Sequence, residues 1–233
     1  MNHNKLYRQH IMLTPLLFIG ATWAQDSSIV ETTKQNVNVI SESIEANTIQ
    51  IVNQEATSAI DFLRNQDQAV QTILAKSLTD TLPLELRQEV KKKINDAFDF
   101  AELGRMSLGD QWYKCTDAER NEFVETFRQI VEEQNFDSFV NYYRDSEIEY
   151  LAEEVVEGHT NVQAQVPYER ERISITYHLH KVAGSWRIYD LVIDGVSTAQ
   201  GNRRQYARYI KRHSFEKLLH RLKKQLENLQ TAE

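Results

Sequence analysis

The fold is decided by residues 171–193, which read ERISITYHLHKVAGSWRIYDLVI. In the first half of this stretch the apolar side chains occupy every second position: Ile173, Ile175, Tyr177 and Leu179. A period of two predicts a strand with one buried and one solvated face. A turn at 183–185 leads into a second strand, and two more alternating segments lie upstream, near 147–152 and 161–168. We therefore expect four antiparallel strands connected as a meander.

Helical patterns flank this predicted sheet on both sides. Upstream, apolar residues recur at intervals of three and four from Ala69 to Phe139, interrupted by Leu82-Pro83 and by a capping box at 116–119. Downstream, the same spacing continues from Gly195 to about Leu229. Helices of this kind can cover one face of a sheet. The sequence therefore predicts an α+β fold, an antiparallel four-stranded sheet covered by N- and C-terminal helices.

The N-terminal part of the chain differs from the rest. Residues 1–24 combine two basic residues, a short apolar run and a small-residue cleavage site, the pattern of a secretory signal peptide. The apolar run is too short for a membrane-spanning helix. Residues 25–68 are polar, contain no Gly or Pro, and carry a narrow apolar stripe. We interpret them as a helical extension that lies on the domain, with a partner-binding or dimerising arm as the alternative, and residues 69–230 as the folded domain.

Charge and cysteine content exclude several classes of protein. Removal of residues 1–24 would leave 34 acidic side chains and a net charge of −9. An acidic, exported chain is a poor candidate for nucleic-acid binding, so we expect no nucleic-acid partner. The single cysteine, Cys115, cannot form an intramolecular disulfide or a multi-cysteine metal cluster.

Motifs for catalysis, cofactors or metals are weak. Residues 195–199 resemble a nucleophile elbow around Ser197, but the second glycine is missing. His178 and His180 share one strand face without an evident third metal ligand, and we interpret them as exposed strand histidines. Glycine-rich phosphate loops are missing from the sequence. We expect no catalytic residue, no metal and no cofactor.

Positive charge is concentrated near the C-terminus. Residues 200–224 contain nine basic side chains and one acid, Glu216, whereas residues 145–157 form an acidic block. These regions can be solvated faces that balance one another, or a surface that attracts an anionic lipid head group or an acidic protein. Five residues are the candidate partner or head-group contacts: Arg203, Arg204, Arg208, Lys211 and Arg212.

Two separated motifs resemble the MlaC family, the periplasmic phospholipid-binding component of the maintenance-of-lipid-asymmetry system, also described as toluene-tolerance auxiliary proteins. The first joins residues 98–109, FDFAELGRMSLG, to Trp112 and to residues 116–123, TDAERNEF. The second is WRIYDLVIDGVS at 186–197, with Arg203 and Gln205-Tyr206 after it. The resemblance covers about residues 70–230. Gly201 and Asn202 stand where the family usually has Asn and Tyr, and the extension at 25–68 is longer than usual.

The resemblance implies a nuclear-transport-factor-like cone, in which a curved sheet and its helices enclose an apolar cavity for the acyl chains of a phospholipid. It implies a soluble periplasmic carrier and no enzyme. The implied partners are an inner-membrane ABC transporter complex with its lipid-transfer subunit, and an outer-membrane lipoprotein complex. Carried onto this sequence, the predicted lipid-binding residues are Phe100, Leu103, Met106, Phe123, Phe127, Ile130, Phe139, Ile173, Ile175, Tyr177, Leu179 and Ile188.

Three alternatives share most of these sequence features. A relative specialised for hopanoids or another apolar lipid would keep the cavity and change the cargo. An interaction protein with a solid core would use the charged regions and the N-terminal extension to bind a partner. Cone-shaped folds also host isomerases and hydratases, although here the polar residues of the strands fall mostly on the face predicted to be outside.

Overall fold

A computed structural model describes residues 58–77, 82–145, 148–168 and 171–231. The predicted signal peptide and most of the predicted extension lie outside the described residues. The described helices are α1 (Ala59–Leu74), α2 (Leu84–Asn95), α3 (Phe100–Leu108), a 3₁₀ helix (Gly109–Lys114), α4 (Asp117–Asp145), α5 (Thr198–Arg212) and α6 (Phe215–Thr231). The strands are β1 (Glu149–Val156), β2 (His159–Tyr168), β3 (Glu171–Val182), β4 (Ser185–Ile193) and β5 (Val196–Ser197).

The five strands form one antiparallel sheet in the order β1-β2-β3-β4-β5. The predicted meander and the predicted α+β class are therefore confirmed, with β5 as an additional short strand. Three of the connections are two-residue turns in which both residues have positive φ: Glu157-Gly158, Ala183-Gly184 and Asp194-Gly195. These are type I′ turns, whose twist matches that of the strands and whose second position favours glycine.

The register of the sheet places the apolar residues of neighbouring strands side by side. Ile175 of β3 lies opposite Ala164 of β2 and Ile193 of β4. A bulge shifts the β3–β4 register, so that Leu179 pairs with Ile188 while His178 pairs with Asp190. Tyr189 is therefore the extra residue of β4. Because of it, Ile188 and Leu191, three positions apart, belong to the same cluster of buried residues.

The helices begin where the sequence supplies a cap. Ser58 precedes α1, and its Oγ accepts a hydrogen bond from the Asp61 amide at 3.0 Å. The predicted capping box is confirmed, since the Thr116 amide donates to Glu119 Oε2 at 2.8 Å. The predicted domain boundary between residues 68 and 69 falls inside α1. Among the described residues, none of the helices has an apolar stretch long enough to cross a bilayer.

The described core has three parts. α1 packs its first half against the sheet and its second half against α2 and α4. Helices α3 to α6 pack on one another around Phe123 and Phe127, so α4 belongs to two parts of the core. Strand β4 lies inside the sheet, because the segment 97–99 bonds to it at Ile188 with two backbone hydrogen bonds of 2.8 Å.

Candidate functional site

One face of the sheet is apolar and is covered by α1. Because side chains of a strand alternate between faces, the residues at 175 and 179 of β3 project together toward this helix. Ten buried residues form the cluster between the layers, hereafter the interlayer cluster: Ala59, Phe62, Leu63, Ala97, Val162, Val166, Ile175, Leu179, Ile188 and Leu191. Leu179 and Val162 are completely buried. An apolar ligand can therefore pack against this surface without a hydrogen-bond partner.

A small space remains between α1, α2 and the sheet. Its volume is about 50 Å³. The lining is mostly apolar and includes Leu63, Val70, Ile94, Ala97, Phe98, Ile175, Tyr177, Ile188 and Leu191, with Gln66, Asp67, Lys93 and Tyr143 as its polar members. At roughly 15 Å³ per water, this is room for about three water molecules and far too little for an acyl chain. A long apolar ligand can enter only if α1 or α2 moves away from the sheet.

The N-terminus of α1 is tied to strand β1 by a carboxylate. The Ala59 and Ile60 amides donate hydrogen bonds to Glu153 Oε1 and Oε2 at 3.3 and 3.1 Å. A helix N-terminus leaves its first amides without partners and carries partial positive charge, so a carboxylate there stabilises it twice over. Glu153 thereby attaches α1 to the edge strand of the sheet.

A second attachment lies in the middle of α1, at Asp67. Its carboxylate accepts hydrogen bonds from the Tyr143 hydroxyl of α4 at 2.8 Å and the Tyr150 hydroxyl of β1 at 2.5 Å. Burial raises the pKa of Asp67 to about 6, although both hydroxyls lower it. Burial also raises the pKa of Tyr150, so this phenol remains a donor. Asp67 is thus a polar group in an apolar space, and it holds α1 to two other elements.

The predicted lipid-binding residues fall into two separate clusters. Five belong to the interlayer cluster or pack against it: Ile173, Ile175, Tyr177, Leu179 and Ile188. Six belong to a second cluster between α3, α4, α5 and α6, hereafter the helical cluster, or pack against it: Phe100, Leu103, Met106, Phe123, Phe127 and Ile130. Phe139 lies in α4, outside the side chains that the structure describes. A role in lipid binding stays a prediction for all twelve.

The helical cluster is tightly packed. Phe123 stacks on Phe127 with 5.7 Å between ring centroids and meets the edge of Tyr206 at 6.0 Å. Gly104 lets α3 approach closely, because a Cβ there would lie 3.2 Å from Val124 and 3.3 Å from the Phe123 ring. Such interlocked aromatics resemble an ordinary protein core.

Sequence reasoning missed several residues of the site. On β2, the alternation of Val162 and Val166 was visible but was not connected with a ligand site. On α1, Leu63 was assigned to the extension because its surroundings are polar. No pattern singles out Asp67, since its partners Tyr143 and Tyr150 lie 76 and 83 residues away in the chain.

The histidines of β3 are half-buried, so their interpretation as exposed strand histidines is wrong. The His180 and Tyr189 rings are 4.9 Å apart, and His180 Nε2 lies 3.0 Å from Asp99 Oδ2. The prediction failed because Tyr189, the bulge residue of β4, brings an aromatic ring to this face. In the described part of the chain, no group of three or more His, Cys, Asp or Glu residues is placed to hold a metal ion.

Ser197 caps a helix. Its Oγ accepts a hydrogen bond from the Gln200 amide at 3.1 Å and donates one to Asp190 Oδ2 at 2.5 Å. The Ala199 amide donates to Asp190 Oδ1 at 2.9 Å, and Asp190 is 2% exposed. Asp190 and Ser197 of the WRIYDLVIDGVS motif therefore attach the first turn of α5 to β4 through these hydrogen bonds.

The five candidate basic residues lie on α5 and are exposed. Arg203 forms an ion pair of 3.2 Å with Asp110 and covers Gly109. Arg208 and Arg212 line a groove between α5 and α6, whereas Arg204 and Lys211 lie outside its lining. The structure therefore brings together two of the five at a concave surface.

Comparison with known proteins gives a family and a fold. The family model described as "MlaC protein" matches residues 63–224, more than half of the chain. Among solved structures, the phospholipid-binding protein from Ralstonia solanacearum, determined in complex with a phospholipid, is similar with a TM-score of 0.63 and 18% identity. The match covers 72% of this chain and 96% of that chain, and at this identity it shows the fold alone. None of the curated proteins matches.

Proposed function

Because the chain belongs to the MlaC family, we propose that it is a soluble periplasmic carrier that holds a phospholipid by its acyl chains and performs no chemistry. The resemblance of its two motifs to this family is confirmed. In this proposal the acyl chains lie between α1 and the sheet, against the interlayer cluster. The protein delivers lipid between an outer-membrane lipoprotein complex and an inner-membrane ABC transporter complex with its lipid-transfer subunit. These partners set the direction of transport.

The observation that carries the proposal is the apolar sheet face covered by a tethered helix. The interlayer cluster supplies a wall without charges, and α1 closes over it. Polar contacts attach α1 at two places: the Glu153 carboxylate of β1 at its N-terminus, and Asp67 with Tyr150 of β1 and Tyr143 of α4. Entry of a lipid would require these polar contacts to open together with the apolar packing of the first half of α1 on the sheet. The helical cluster has no comparable cover, because four helices interlock around it.

The energetics of an acyl chain favour such a wall for exchange. Burying a methylene is worth about 0.8 kcal/mol, so two chains of roughly 15 methylenes each represent on the order of 24 kcal/mol relative to water. This exceeds the practical ceiling of roughly 18–21 kcal/mol for noncovalent affinity. In a bilayer, however, the chains are already out of water. The protein therefore needs only to match the apolar environment of the membrane to exchange lipid near equilibrium.

The first experiment is native mass spectrometry of the protein purified from its own periplasm, followed by organic extraction of what dissociates. A stoichiometric diacyl phospholipid is the expected result. A hopanoid or another apolar lipid would keep the site and replace the proposed cargo. Folded protein that is reproducibly empty would overturn the proposal.

The second candidate function is that of an interaction protein with a solid core. The observation that favours it is the small space of about 50 Å³ between the layers. The same experiment separates the two functions, because a solid core predicts empty protein whatever its source.

A further inference from the structure

A second concave surface lies between α5 and α6. It encloses about 570 Å³, which is within the range of small-molecule sites. Its floor consists of buried side chains of the helical cluster, among them Phe127, Leu218 and Leu222. No residue that lines it lines the space between α1 and the sheet. The groove is therefore separate from the site of the proposed carrier function.

The rim of the groove is cationic. Arg208, Arg212 and Arg221 line it together with His213, and none of the described lining residues is an Asp or Glu. Arg208 and Arg212 stand one helical turn apart, a spacing at which like charges repel each other. Arg221 lies over the Tyr209 ring, with its guanidinium carbon 5.1 Å from the centroid. Two helices thus contribute positive charge to the lining of one concave surface.

A buried donor at the groove lacks an acceptor. Asn202 lines the groove and is 4% exposed, and its Nδ2 has no hydrogen-bond partner among the described residues. A buried amide without a partner is costly, since it has given up its bonds to water. Because Nδ2 is closed off from solvent, an acceptor bound in the groove would satisfy Asn202 only after a small shift of the neighbouring side chains. This observation is independent of the arginines and points to the same kind of ligand.

We infer that the groove binds a phosphate group, carried either by a lipid head group or by a small water-soluble molecule. Guanidinium groups match phosphate oxygens in bidentate pairs, and an amide donor adds a neutral hydrogen bond. The neighbouring Gln205 and Gln225 supply further donors at the same surface. The inference does not depend on lipid in the interlayer site, because the two surfaces share no residue.

The test is titration calorimetry of the full-length protein with monododecyl phosphate, glycerol 3-phosphate and inorganic phosphate at low salt. The variant R208Q/R212Q removes two charges from the groove. The control K217Q/K224Q removes two charges from exposed positions of α6 that do not line it. We expect about tenfold or greater weakening in the groove variant and less than about threefold in the control, since each arginine makes a charge-assisted bond. All four substituted residues are exposed, so the folds should survive.

A third variant addresses the buried amide. Asn202→Asp keeps the shape of the side chain but replaces its donor with a carboxylate, and phosphate affinity should fall about tenfold while thermal unfolding shows a folded protein. Weakening in R208Q/R212Q that is confined to monododecyl phosphate would assign a lipid head group, and equal weakening for the two water-soluble ligands a soluble phosphate; both support the site.

Equal weakening in the groove variant and its control would overturn the inference. Binding of all three phosphate ligands that is unchanged in R208Q/R212Q would also overturn it. Phospholipid content that is equal in extracts of the wild type and of R208Q/R212Q reports on the interlayer site, because the groove variant leaves that site intact. Failure of the groove and failure of the carrier function are therefore distinguishable.

Discussion

The interlayer cluster and the helical cluster consist of the same kinds of side chain but differ in what covers them. In the helical cluster, Phe123 and Phe127 are completely buried among rings from three helices, and Gly104 brings α3 close. In the interlayer cluster, the sheet face meets α1, which Glu153 and Asp67 attach to neighbouring elements. Apolar composition alone does not make a binding site, since a ligand also needs space, which a closely packed cluster does not leave. Four changes would break or sharpen this comparison.

The largest expected loss of stability follows truncation in the helical cluster. Phe123→Ala should lower the free energy of unfolding by about 3–5 kcal/mol, because the cavity it leaves is enclosed by rings that cannot close around it. Urea unfolding gives the value. The folded fraction should keep its normal phospholipid content, and a selective loss of lipid from folded protein would show that this cluster lines the ligand site.

A charge in the interlayer cluster should act on the ligand. Ile175→Glu places a carboxylate on the face under α1 and should reduce phospholipid occupancy severalfold, because a buried charge without a partner is strongly unfavourable. Lipid extraction from purified, folded protein measures occupancy.

The matched control for this change is Ser174→Glu, an exposed neighbour on the other face of the same strand. Leu179→Glu provides a second test if the first variant does not fold. Full occupancy in folded variants at both 175 and 179 would contradict the assignment of the site.

The attachment of α1 through Asp67 should make the free energy of unfolding depend on pH. Its pKa is raised from 3.8 to about 6 in the folded protein, so the folded state holds this proton more tightly than the unfolded state. The contribution of Asp67 to the free energy of unfolding is therefore complete below pH 4 and is lost as the pH rises through 6. The loss is about 3 kcal/mol for a pKa shift of about two units. Asp67→Asn should remove this fall. The free energy of unfolding of the variant relative to that of the wild type should therefore be higher at pH 8 than at pH 4.

Urea unfolding between pH 4 and pH 8 measures this difference. Asp96→Asn, at the exposed C-terminal end of α2, is the control, in which the fall in stability should persist because Asp67 is intact. Parallel profiles for Asp67→Asn and the wild type would show that Asp67 does not carry the raised pKa.

The smallest expected effect is at the N-terminus of α1. Glu153→Gln weakens the acceptor for the Ala59 and Ile60 amides and should cost about 1 kcal/mol. Hydrogen exchange should accelerate in α1 and stay unchanged in α6. Glu154→Gln, its exposed neighbour on β1, is the control. Equal exchange in both variants would show that this contact does not hold the helix.

The strands and most of the helices could be predicted from the sequence because their periods are local properties. The alternation of Ile173, Ile175, Tyr177 and Leu179 identified β3, and the S/T-x-x-E pattern located the start of α4. Strand β5 has two residues, which is too short to show a period. Helix α1 crosses the predicted boundary because its solvent side resembles the polar segment that precedes it.

The division of the candidate site into two clusters could not be predicted. A period of 3.6 in α4 and a period of 2 in β3 both identify a buried face, but neither states which other face covers it. That depends on contacts between distant parts of the chain, such as α1 on the sheet. The contacts of Asp67 with Tyr143 and Tyr150 depend on the same long-range packing.

Strand β4 lines one compartment and anchors the helix that lines the other. On one side, Ile188 and Leu191 belong to the interlayer cluster. Between them in sequence, Asp190 holds Ser197 and Ala199, the first turn of the helix that carries Arg208 and Arg212. The interlayer site and the arginine-lined groove share no lining residue, but the strand of the first and the helix of the second are attached to each other through one buried carboxylate.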